Sequence, residues 1–206
     1  MYDIKYVEGT LTINPAEATI VVPDITKVYG EPDPEKVATV EGLIDPDSIP
    51  DEDLKVGRKT SPRYEAGGRT YLDELIPAHG TYPDWYNEHY PNYTFTIDMG
   101  DLTISEREVT VSVADKTVDY NNAEQTGETE YTFSNVLAEQ TATITYTASK
   151  GTDAGTYTNG AFKEDSFKVI DANGNDVTSS YKLTTKTAGK LTSLRSLMLT
   201  RQQRRE

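Results

Sequence analysis

Three stretches of the chain share one alternation of apolar and polar positions: residues 2–13 (YDIKYVEGTLTI), 93–104 (YTFTIDMGDLTI) and 181–192 (YKLTTKTAGKLT). Each opens on a tyrosine and sets Thr or a charged residue between apolar ones. Each then reaches a glycine at Gly9, Gly100 or Gly189 and closes on Leu-Thr. Period-two alternation around a glycine predicts a β-hairpin at each place. The third copy has one more residue before its glycine. The opening tyrosines stand 91 and then 88 residues apart, a period the size of a small domain.

A second set of markers keeps the same register. The β-branched run 19–22 (TIVV) leads into 24–34 (DITKVYGEPDP), and 109–113 (VTVSV) leads into 115–122 (DKTVDYNN). Asp24 and Asp115, Thr26 and Thr117, and Tyr29 and Tyr120 are each 91 residues apart. The residue after the tyrosine is Gly30 or Asn121, the two types that best tolerate a left-handed backbone. Further on, 66–71 (AGGRTY) answers 154–157 (AGTY), each a glycine turn entering a strand. Residues 141–147 (TATITYT) alternate strictly and predict one half-buried strand. Residues 165–170 (DSFKVI) predict another, followed by a turn at Asp171–Asp176. The proline-and-acid stretch 45–53 reads as a loop with one helical turn, and Asp84 to Glu88, after Pro83, as another turn.

No stretch sustains helical periodicity, so the fold class is all-β. The expected organisation is an N-terminal orphan hairpin with its linker (1–16), two tandem β-modules (17–105 and 106–193) and a basic tail (194–206). Each module is expected to be a small immunoglobulin-like β-sandwich, with a β-grasp-like arrangement as the alternative. The orphan reads as the closing hairpin of a preceding repeat, which places the chain inside a larger array. It is expected to pair with the next module or to fray.

The string 27–34 (KVYGEPDP), the later Gly-Thr-Tyr type turn and the closing 92–104 (NYTFTIDMGDLTI) resemble the MBG repeat of the Tyr-Gly-X type. The resemblance covers residues 18–104 and touches 2–13 only as an ending. Residues 106–193 depart from it, because Asn121 follows Tyr120 and no Pro-Asp-Pro appears. Their 171–181 stretch is similar to a hairpin of bacterial immunoglobulin-like repeats. The resemblance implies tandem extracellular modules of bacterial surface, adhesin-like proteins, with neighbouring repeats as partners, no cofactor and no catalytic residues to carry over.

Composition narrows the function classes. Lys and Arg total 20 against 34 Asp and Glu, a net charge of −14. Nucleic acid is an unsuitable partner for such a surface, since phosphate binding needs clustered basic residues. The tail departs from this balance, holding Arg195, Arg201, Arg204 and Arg205 against one acid, and disorder is expected there. No run approaches the ~20 apolar residues of a membrane span. With no cysteine, disulfides are excluded and each module must rely on packing.

No nucleophile–base–orienter set, phosphate loop or dinucleotide fingerprint is present, so a catalytic role is not expected. The richest local feature is aromatic: Tyr71, Tyr82, Trp85, Tyr86, Tyr90 and Tyr93, with His79, Asp84, Glu88 and His89 among them. Flat rings beside polar groups make a ligand platform for a glycan or a host protein, and Tyr82, Trp85, Tyr86 and Tyr90 are its candidate residues. The competing reading is a long loop packed on its own aromatics. The two histidines with Asp84 and Glu88 match no standard zinc spacing, and Asp171–Asp176 lacks the alternating ligands and distal Glu of a calcium loop.

Overall fold

The computed structural model describes residues 2–44, 46–60 and 66–195. Their regular structure is almost entirely β, and they fall into two compact units. The first unit holds residues up to 27, 31–60 and 69–104; the second holds 28–30, 66–68 and 105 onward.

The first unit is built from β1 (Ala16–Val21), β2 (Ile25–Val28), β3 (Thr39–Glu41), β4 (Val56–Arg58), β5 (Arg69–Pro77), β6 (Tyr93–Asp98) and β7 (Gly100–Ser105), with one short helix, α1 (Asp84–His89). One sheet has the order β3-β1-β6 and the other β2-β7-β5-β4. β1 runs parallel to β6 in unbroken register from Ala16↔Tyr93 to Val21↔Asp98. The alternation read from the sequence places Ala18, Ile20, Phe95, Leu102 and Ile104 inside, each essentially inaccessible. Burying a side chain the size of Ile or Phe contributes about 1.5–3 kcal/mol.

The second unit contains β8 (Arg107–Val113), β9 (Lys116–Asp119), β10 (Gln125–Thr126), β11 (Tyr131–Ser134), β12 (Thr141–Thr143) and β13 (Tyr146–Thr147). It continues with β14 (Lys150–Gly151), β15 (Gly155–Tyr157), β16 (Ala161–Phe162), β17 (Lys168–Ile170), β18 (Tyr181–Thr187) and β19 (Leu191–Leu194). Its main sheets are β11-β8-β18 and β15-β19-β9. Three two-stranded ladders, β10-β14, β12-β17 and β13-β16, complete it. Val109, Val111, Val169 and Leu191 lie at its centre.

The two units repeat one arrangement. The first strand pair and the last strand pair bend together from one sheet into the other: β1 beside β6 continues as β2 beside β7, and β8 beside β18 continues as β9 beside β19. In the second unit both halves are parallel. Tyr71 faces Leu102 across β5 and β7, and Tyr157 faces Leu191 across β15 and β19, so the glycine-turn markers also hold equivalent places.

This arrangement corrects the hairpin reading of 93–104 and 181–192. β6 and β7 do not pair with each other, nor do β18 and β19; each couple is one strand that changes sheet at its glycine. The glycine is required for close approach rather than for a left-handed turn, since neither Gly100 nor Gly189 has positive φ. A Cβ on Gly100 would stand 2.6 Å from the Pro23 carbonyl oxygen and 2.8 Å from that of Val22. One on Gly189 would press still closer on the Ala114 carbonyl oxygen. Beside each glycine the next amide is held by the opening strand's aspartate. The Asp101 N–H donates to Asp24 Oδ1 at 2.8 Å, and the Lys190 N–H donates to Asp115 Oδ1 at 2.8 Å. The 91-residue offset of the two aspartates thus has a structural cause.

Other expectations change as well. Residues 2–15 form no strand, and Tyr2, Ile4, Tyr6, Leu11 and Ile13 are largely exposed. A closing strand gains its stability from an opening strand beside it, and none of the described residues takes that place. The 141–147 run is two strands, not one: β12 pairs with β17 and β13 with β16, with Ile144 and Thr145 between them. The strand expected at 165–170 is shortened to β17, and Asp165 instead lies in a turn with a positive φ of 54°. After Tyr29 the left-handed residue is Gly30, as read, but after Tyr120 it is Asn122 rather than Asn121. The tail beyond Arg195 lies outside the described residues.

Candidate functional site

The aromatic segment folds around α1. Pro83 precedes the helix, the Asn87 N–H donates to the Pro83 carbonyl at 2.9 Å, and the Tyr90 N–H closes the turn on the Tyr86 carbonyl at 2.9 Å. Asn87 Oδ1 accepts the Phe95 N–H at 2.7 Å, which ties the helix to β6. Six residues are too few to be helical alone. The turn is therefore held by the side chains it buries.

Those side chains converge on Asp53, in the 3-10 turn Asp51–Asp53. The Tyr86 hydroxyl donates to the Asp53 carbonyl at 2.6 Å, His79 Nε2 lies 3.0 Å from Asp53 Oδ1, and the Tyr90 hydroxyl points at Asp53 Oδ2 from 3.4 Å. Burial, with the Asp53 charge nearby, pushes the Tyr86 phenol up to about 12. Burial and Asp53 also raise Tyr90. On the same face of β6 as Phe95, Tyr93 donates to Asp47 Oδ2 at 2.6 Å, and that hydrogen bond raises its phenol.

Trp85 is stacked twice. The His79 ring lies 3.4 Å from it at 10° and the His89 ring 3.9 Å away at 17°. Two rings cannot both sit that close over one face, so the imidazoles cover opposite faces of the indole. His89 is fixed in turn by donation from Nδ1 to the Trp85 carbonyl at 2.8 Å. Of the four candidate residues, then, Tyr86 is fully buried, Tyr90 is half-buried on Asp53, and Trp85 has both faces covered. Only Tyr82 stands clear, 75% exposed. The structure brings Trp85, Tyr86 and Tyr90 into one cluster and leaves Tyr82 outside its ring contacts.

A second concave region lies in the second unit, a cleft of ≈ 470 Å³ walled by Tyr29, Leu137, Gln140 and the Asp171–Asp176 turn. Tyr29 and Tyr181 meet edge to face at 5.5 Å. Gln140 joins them: its Nε2 donates to the Tyr29 hydroxyl at 2.9 Å, and the Tyr181 hydroxyl donates to its Oε1 at 2.7 Å. Sequence reading found both tyrosines as repeat markers but missed Gln140, which carries no motif. The Asp171 carboxylate is occupied by Asn173 N–H, Asn175 N–H and Asn175 Nδ2, and these donors, the Asn175 side chain first, hold it below the usual carboxylate range. Among the described residues no group of three or more His, Asp or Glu is placed to hold a metal ion. Nor is any described helix long and apolar enough to cross a membrane.

No family model, curated protein or solved structure matches this chain.

Proposed function

We propose that the chain carries two tandem copies of one β-module and serves as a non-catalytic spacer in a bacterial surface protein, separating a distal segment from the cell. The observation that supports this reading best is the repeated sheet change, with Gly100 and Asp24 in one unit and Gly189 and Asp115 in the other in the same geometry. Repetition of a scaffold, with the aromatics spent on packing, is the pattern of a structural array. It fits the MBG-type resemblance of residues 18–104 and an extracellular setting in which neighbouring repeats are the partners. Within this reading each unit is a small sandwich whose two sheets share the bent strand pair.

Adhesion to a glycan or host protein is the second reading, and the exposed ring of Tyr82 beside α1 favours it. Fluorescence of the single tryptophan separates the two. The spacer reading expects Trp85 emission that acrylamide quenches poorly and that no mucin-type or plant glycan shifts. Saturable binding to one glycan, lost in Tyr82→Ala and Trp85→Phe, would overturn it in favour of adhesion.

A further inference from the structure

In both units the strand on which the chain enters lies beside the strand on which it leaves, and the two run the same way. β1 is parallel to β6 over six positions. β8 is parallel to β18 over six positions, and β9 is parallel to β19 from Lys116↔Leu191 to Asp119↔Leu194. From this geometry we infer that each unit is a mechanical clamp, built to resist tension applied along the polypeptide.

Tension draws the opening strand toward its N-terminal end and the closing strand toward its C-terminal end. For antiparallel terminal strands joined at one end, such forces open the ladder one hydrogen bond at a time. For parallel neighbours the same forces lie along the strands and in opposite senses, so the whole ladder is loaded in shear. Its bonds, each a modest net contribution alone, must then fail together. Forced unfolding is limited by the rate of crossing that barrier, not by equilibrium stability.

The ends of the ladder are framed by further backbone bonds. Ala16 N–H donates to Asn92 O and Val22 N–H to Asp98 O, each at 2.9 Å, in the first unit. Lys116 N–H donates to Lys190 O and Tyr120 N–H to Leu194 O, each at 2.8 Å, in the second. The bend also contributes. Sliding the closing strand past the opening strand would carry Gly100 away from Pro23, or Gly189 away from Ala114, and bring a residue with a Cβ into a gap that admits none. The glycine therefore works as a detent along the direction of pull. The inference concerns each unit alone and does not depend on the spacer reading.

The absence of cysteine makes the test direct, because any introduced pair is the only attachment point. Single-molecule pulling on the full chain would compare two tethers for the second unit. Glu106→Cys with Arg195→Cys loads the ladder in shear; Glu106→Cys with Ser179→Cys pulls both strands apart from the same end. The first unit has the matching pairs, Asn14→Cys with Glu106→Cys and Asn14→Cys with Pro91→Cys. Thermal melts of each variant by circular dichroism verify that it folds like the parent. The shear tether is expected to unfold at roughly two-fold higher force or more at equal loading rate, since several bonds rather than one bear the load. Equal forces for the two tethers, or extension without an abrupt rupture in shear, would overturn the inference. A glycan-binding result for Tyr82 would leave it standing, so the two readings fail separately.

Discussion

Replacing Gly100 or Gly189 by alanine tests the sheet change directly, because the two explanations for a glycine there predict opposite signs. Neither residue has positive φ, so alanine meets no backbone penalty. On chain entropy alone, Gly→Ala at such a position stabilises by about 0.4–1 kcal/mol. Close approach acts the other way. A Cβ at 2.6 Å from one carbonyl oxygen and 2.8 Å from another must move out by about half an ångström to reach any tolerated contact. Overpacking of that kind costs about 1–3 kcal/mol. It also strains the Asp101 N–H to Asp24 bond and the Val22 N–H to Asp98 bond, each worth about 1 kcal/mol. The balance is a destabilisation of roughly 2–3 kcal/mol, or a fall in Tm on the order of 10 °C for a unit of this size. Gly9→Ala is the control: it holds the same place in the sequence pattern, but nothing lies within 4 Å of its Cβ position, and its stability should match the parent's. Thermal and urea unfolding followed by circular dichroism would measure all three. A neutral or stabilising Gly100→Ala and Gly189→Ala would refute the close-approach argument.

Three further outcomes are expected. Asp24→Ala and Asp115→Ala each leave one amide at the bend without its carboxylate acceptor and should lower urea stability by about 1 kcal/mol, whereas Asp→Asn should retain part of it; no loss in either unit would contradict the role given to these carboxylates. The buried Tyr86 phenol titrates in the unfolded chain near 10 but in the folded chain at about 12, so its contribution to stability should be level below pH 10 and fall by about 2 kcal/mol or less between pH 10 and 12; Tyr86→Phe should lessen the alkaline loss, to which Tyr90 and Tyr93 also contribute, and an unchanged alkaline melt profile would count against it. Burial alone would raise Asp33, yet hydrogen bonds from Arg58 and Lys27 outweigh it and hold the carboxyl below its ordinary range. Its contribution is present above the unfolded pKa and lost as pH falls through the depressed folded value, so Arg58→Ala should lessen acid sensitivity below pH 4 while costing about 1 kcal/mol or less at pH 7, the carboxylate being partly exposed.

The periodic skeleton was legible in the sequence because alternation, glycine spacing and the Asp24/Asp115 offset are local signals repeated at one interval. What those stretches pair with was not. A glycine inside an alternating run looks the same whether the chain folds back on itself or passes into another sheet. The choice is made by β1 and β8, more than 70 residues away. The same limit applies to 141–147, whose clean alternation is cut in two by its partners β17 and β16. In the aromatic segment the cluster of rings was legible, but its organiser, Asp53, is 26 residues from His79 and 37 from Tyr90 and looks like any loop acid. The covered faces of Trp85 likewise depend on His79, which no spacing rule connects to the helix.

The additional residue in the third copy of the pattern is taken up within β18, where the register skips from Leu183↔Val109 to Thr185↔Thr110 and Thr184 turns its hydroxyl onto the Val109 carbonyl at 3.2 Å. β6 has no such skip. Neighbouring modules with interchangeable closing strands would be free to trade them while folding, as similar domains joined in one chain tend to do. Here β18 set against β1 would arrive at the bend one residue out of step, and a one-residue slip turns every inward side chain outward. The bulge acts as the cut of a key: it makes each closing strand fit its own opening strand and penalises exchange between modules that otherwise share a pattern.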